Sequence, residues 1–135
     1  MTAYISVSYS KRKELKWALD AMVATLRDLN IDAFIFATAH TFTVTQENQM
    51  MLLALAEIDR CDIFIAETSD KAIGIGIEAG YAKAKGKPVI YTRQITAEHS
   101  TTLSGISDYH FFYNDTNDLQ HQLAAVINKI MCVEK

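Results

Sequence analysis

One carboxylate in this 135-residue chain stands where covalent chemistry is conceivable. Glu78 follows Gly74-Ile75-Gly76-Ile77 and precedes Ala79-Gly80-Tyr81. Glycines allow a backbone to approach a ligand closely, because no Cβ intervenes. An acid opening a helix just behind them is expected to face a cleft, with the helix dipole favouring its ionised form. Beside a bound sugar, an ionised carboxylate suits glycosyl transfer, as nucleophile at the anomeric carbon or as stabiliser of an oxocarbenium-like transition state. Position alone fits equally well an acid that merely supports a first helical turn. Gly74, Gly76 and Ala79 also match the dinucleotide pattern GxGxxA. That turn should directly follow the first strand, however, and the first turn here, Ser6-Val7-Ser8-Tyr9-Ser10, contains no glycine.

Other chemistry-bearing side chains are sparse. His40, His99, His110 and His121 show no metal-binding spacing, and Cys61 and Cys132 form no CxxC pair, so neither metal nor cofactor is expected and the thiols read as reduced, small apolar residues. A net charge of −3 argues against a nucleic-acid polymer as partner. No apolar run reaches the length of a membrane span, and Met1-Thr2-Ala3-Tyr4 lacks the pattern of a signal peptide; a cytosolic protein without a membrane partner is expected. Half the residues are hydrophobic, which excludes a disordered tail and is enough for a core in one domain spanning 1–135.

The elements that must position Glu78 follow from periodicity. Short apolar segments at 3–8, 31–36, 62–66, 87–92 and 110–113 read as strands. Between them, 11–29, 45–60, 77–85 and 117–131 have helical period. Ser10 is expected to cap the first of these and Thr43 or Thr45 the second, and a short helix is allowed within 94–108. Strict alternation implies a three-layer α/β sandwich: a five-stranded parallel sheet between helices, in the flavodoxin-like, Rossmann-like order 2-1-3-4-5. Ligands of such sheets bind beyond the carboxyl ends of the strands, near the first and third. The second helix carries seven consecutive apolar residues, Met50 to Ala56, covering its whole circumference. One face on the sheet and another on a second copy of the chain would bury them, so a homo-oligomer through this helix is expected.

The run Asp62-Ile-Phe-Ile-Ala-Glu67, then Gly74-Ile-Gly-Ile-Glu78-Ala-Gly-Tyr-Ala, then Gly86-Lys-Pro-Val-Ile90 resembles the nucleoside 2-deoxyribosyltransferase superfamily, which includes 2′-deoxynucleoside 5′-monophosphate N-glycosidases. The resemblance spans about residues 57–92 and is looser beyond. It implies a nucleoside or nucleotide substrate and cleavage or transfer at its N-glycosidic bond, with Glu78 as the nucleophile. Tyr4 matches a first-strand tyrosine near the reaction centre, Ser8 a serine of the first loop, and Leu103-Ser104 a pair that contacts the 5′-phosphate from a neighbouring subunit. Gly74 and Gly76 would lie against the substrate.

The chain also departs from that pattern. A second acid expected on the second helix is replaced by Ala54, which cannot transfer a proton, leaving Glu47 and Glu57 as acids on roughly the same face. Ala72 replaces a serine, and Val7-Ser8-Tyr9-Ser10-Lys11-Arg12 replaces a glycine-rich loop; Lys11 and Arg12 are candidates for holding a phosphate. Two alternatives therefore accompany the enzymatic expectation: a nucleotide-binding module that senses without cleaving, and an NAD glycohydrolase of the Toll/interleukin-receptor-like kind, whose opening strand Tyr4-Ile-Ser-Val-Ser-Tyr-Ser10 resembles.

Overall fold

The computed structural model of the chain describes residues 1–133. Strand β1 (Thr2–Ser6) is flanked by β2 (Asp32–Ile35) and β3 (Ile63–Glu67), and the sheet continues through β4 (Val89–Gln94) to β5 (Tyr109–Tyr113). All four pairings are parallel and the order is β2-β1-β3-β4-β5, as the alternation implies. Successive side chains on a strand point to opposite faces. Ala3, Ile5, Ile63 and Ile65 meet helices α1 (Lys16–Asp28) and α6 (Thr116–Val133) on one face. On the other, Tyr4, Phe64 and Ala66 meet α3 (Glu47–Arg60), α4 (Ile73–Ala84) and α5 (Thr101–Ile106), while a single turn, α2 (Phe36–Ala39), follows β2 directly.

Several boundaries differ from those read off the sequence. Strand β1 stops at Ser6, so Ser8 lies in the loop. Ser10 caps no α-helix: Tyr9–Lys11 form a 3-10 turn, α1 starts only at Lys16, and Ser10 Oγ sits 3.2 Å from Ser8 Oγ. Thr43 does cap, through a reciprocal box with Gln46 on the 3-10 turn that leads into α3.

The consequential difference is α4. It begins at Ile73, not Ile77, so Gly74 and Gly76 are helical and Glu78 lies in the second turn. Each interior glycine costs about 1 kcal/mol relative to alanine. Ile75, between them and only 3% exposed, anchors the turn in the core, a burial contributing about 2–3 kcal/mol and offsetting that cost.

In the apolar run of α3 only Ala54 is fully buried, and Ile58 a turn later continues its stripe. Leu52 is 61% exposed and the rest are half-buried, so one protomer covers only part of the run. Cys61 is buried and Cys132 exposed, both as free thiols; burial pushes the Cys61 thiol up to about 11. Among the described residues no helix is long and apolar enough to cross a membrane, and no cluster of three or more His, Cys, Asp or Glu side chains could hold a metal.

Candidate active site

Tyr4 and Ser6 lie two residues apart on β1 and therefore point to the same face, toward α4. The Tyr4 hydroxyl donates to Glu78 Oε2 at 3.2 Å and the Ser6 hydroxyl to Glu78 Oε1 at 2.8 Å. The Tyr4 ring is itself immobilised, fully buried and stacked on Phe64 with centroids 5.4 Å apart. Glu78 is 9% exposed and opens onto a cavity of about 490 Å³.

Burial raises the Glu78 carboxyl above its ordinary value; the hydrogen bonds from Ser6 and Tyr4 favour the anion but do not cancel that effect. The helix dipole, expected from the sequence to favour the ionised form, contributes little at this depth in α4. Dipole stabilisation fades beyond the first turn, and Glu78 is past it. The two hydroxyls, not the helix end, stabilise the charge. Tyr4 responds in the opposite sense: burial and the facing carboxylate push its hydroxyl upward, so it remains a proton donor.

The cavity walls come from both strand ends and from α3. Tyr9, Phe36, His40 and Phe42 supply rings, Met50 and Met51 a flexible apolar side, and Glu47 a carboxylate at the rim. Phe36 and Phe42 stack at 5.8 Å, with His40 tilted against both. Gly74 lines this cavity; a Cβ built on it would meet nothing within 4 Å. Gly76 lines a neighbouring cavity of about 460 Å³ instead, on the α5 side, together with Lys71, Ser100 and Thr102. Ala72 and Ile75 are common to both.

The remaining candidates are dispersed. Ser8 is buried beside Asp70, donating to its Oδ2 at 2.6 Å, and does not line the cavity. Ser104 lies in α5, where its carbonyl oxygen is 2.8 Å from His110 Nε2, and lines neither cavity. Lys11 pairs with Glu14, and the Arg12 guanidinium lies over the Tyr9 ring, 3.7 Å from its centroid. Ala54 is fully buried. Of the two acids expected on roughly its face of the helix, Glu57 is tied to Arg60 at 2.6 Å, whereas Glu47 reaches the cavity. Ser6 and the aromatic wall were not singled out from the sequence. Ser6 was legible as the polar residue two positions after Tyr4, on the same face.

The chain is thus a three-layer α/β sandwich with an acid held over the carboxyl end of β1. No protein-family model matches the sequence, and no curated protein matches it. Solved structures do. The CMP N-glycosidase BcmB of Clostridium botulinum is 20% identical, with a TM-score of 0.67 over 91% of this chain and 98% of its own. A 2-deoxyribosyltransferase from Bacillus psychrosaccharolyticus is 19% identical, with a TM-score of 0.69 over 91% and 96%. That of Leishmania mexicana is 17% identical, with a TM-score of 0.60 over 92% and 97%. These likenesses are of fold, and they agree with the superfamily that the motif around Glu78 resembles.

Proposed function

We propose that the protein cleaves, or transfers across, the N-glycosidic bond of a deoxynucleoside or its 5′-monophosphate, with Glu78 as nucleophile. The observation that carries this reading is a buried carboxylate held by two hydroxyls at a cavity of about 490 Å³, large enough for one nucleoside. The ionised carboxylate attacks C1′ as the C1′–N bond breaks. The base leaves with the bonding pair and takes a proton from water. A second water, or an acceptor base in transfer, then attacks C1′ and releases Glu78. The fold-level kinship with an N-glycosidase and deoxyribosyltransferases supports the same reaction class. Incubation with a panel of nucleosides, their 5′-monophosphates and NAD, assayed for free base, tests it. Release of base by the wild type and not by Glu78→Gln is expected; no base from any substrate overturns it.

A second reading is favoured by one observation, the methyl group of Ala54 where a proton-transferring acid is expected. It makes the protein a nucleotide-binding sensor, and ligand-induced thermal stabilisation without turnover would identify it. Under either reading we propose that the outward side of α3, with Leu52 at its centre, carries a second copy of the chain.

A further inference from the structure

Resting on the reading of Glu78 as the sugar-facing acid, we infer that this cavity takes an uncharged nucleoside and rejects its 5′-monophosphate, and that Glu47 contributes to the rejection. The inference rests on which charges line the cavity. Among the described residues its carboxylates are Glu78 and Glu47, and neither lysine nor arginine lines it. His40 is the one lining imidazole, and it is packed among Phe34, Phe36 and Phe42 rather than presented alone. The rest of the lining is mostly rings, methionines and small apolar residues, which suit the flat face of a base and the carbon skeleton of a pentose.

Lys11, Arg12 and Lys71 each have a partner outside this cavity. Lys11 pairs with Glu14 at 3.5 Å. Arg12 covers the Tyr9 ring and donates to the Tyr9 carbonyl oxygen at 2.6 Å. Lys71 lines the neighbouring cavity across the first turn of α4 and pairs with Glu98 at 3.1 Å. A phosphate dianion entering between Glu47, exposed at the rim, and buried Glu78 meets like charge when these are ionised, a repulsion that salt screens at the rim. Such a group is ordinarily recognised by arginine or lysine side chains, and the described lining holds neither. A neutral 5′-hydroxyl carries no such penalty and can hydrogen-bond to a carboxylate.

The test compares base-matched pairs, 2′-deoxycytidine with dCMP and 2′-deoxyadenosine with dAMP, by kcat/KM and by thermal shift, at low and at 0.5 M salt. It is run on the wild type, Glu47→Gln and Glu47→Lys. The expected result is at least a tenfold preference for the nucleoside at low salt, narrowing in salt and in Glu47→Gln and further in Glu47→Lys. A preference for the nucleotide, or a ratio that no Glu47 variant moves, overturns the inference. Nucleotide preference abolished by Lys71→Ala would overturn it by locating the phosphate in the neighbouring cavity. If nothing is turned over, binding separates the two readings. Thermal stabilisation by the nucleosides and not by the nucleotides upholds the specificity while ending the catalytic proposal; stabilisation by neither ends both.

Discussion

Ser6 Oγ stands 2.8 Å from Glu78 Oε1, joining residues that are seventy-two positions apart along the chain. A hydroxyl donating to a carboxylate stabilises the anion, a contribution of about 1.5–3 kcal/mol in the charged form. Ser6→Ala should therefore raise the Glu78 carboxyl further, displacing the acid limb of a kcat/KM profile to higher pH. Activity just above the limb should fall about ten- to a hundredfold, with partial recovery as pH rises. A profile with its limb unmoved would mean that Ser6 does not act through Glu78.

Tyr4→Phe removes the other donor and keeps the ring stacked on Phe64. Loss of one hydrogen bond costs about 1 kcal/mol of stability, a few degrees in Tm. The activity loss should match that of Ser6→Ala, and the two together should be less than additive because both act on one carboxylate. A double-mutant cycle in kcat/KM measures this.

Glu78→Gln should abolish turnover and raise Tm near neutral pH. The sign follows from linkage. The folded-state carboxyl lies above its ordinary value, so its contribution to stability is fully present below the unfolded value and is lost as pH rises through the folded one. A neutral amide removes that loss. Melting curves of both proteins should diverge as pH climbs from the ordinary carboxylate range toward neutrality, with the wild type lower. Parallel curves would sink the assignment.

Glu67 is the second buried acid, on the opposite face of the sheet, fully enclosed and likewise raised by burial. The Tyr113 hydroxyl, the Ser69 hydroxyl and the Ser69 N–H all donate to it, and Ser69 Oγ in turn accepts from the Gln94 N–H. This network ties the ends of β3, β4 and β5 together. Tyr113→Phe should cost about 1–3 kcal/mol, read by urea denaturation, while activity per folded molecule stays within about threefold. A large kinetic defect at unchanged stability would instead connect Glu67 to the reaction.

Leu52→Asp tests the outer face of α3. With a second copy seated there, sedimentation should report a lighter species for the variant than for the wild type, and the fold should survive because Leu52 is largely exposed in one protomer. Identical sedimentation would remove α3 as the contact.

Much of the architecture was legible because it depends on repetition. Alternating β and α periods imply a parallel sheet, and for five such strands the flavodoxin-like order is the leading topology. Glu78 was legible for a different reason, its fixed spacing from Gly74 and Gly76. Those glycines also misled: read as loop residues, they concealed the first turn of α4, and with it the depth of Glu78. The helix survives them because Ile75 is buried, a tertiary effect that local propensity does not register. The aromatic wall was unreadable since residues 36–43 follow no period, and Phe36, His40 and Phe42 meet only after the chain doubles back. Glu47 and Glu57 looked equivalent on a helical wheel; the Arg60 contact at one and the cavity at the other tell them apart.

The open space over Gly74 gives an experimenter a graded dial. Alanine, serine and then valine at this position would narrow the approach to the first turn of α4 stepwise while leaving the carboxylate and its two hydroxyl clamps in place, because a Cβ there meets no other atom within 4 Å. The size at which each guest ceases to fit would then serve as a ruler for whatever molecule the chamber admits.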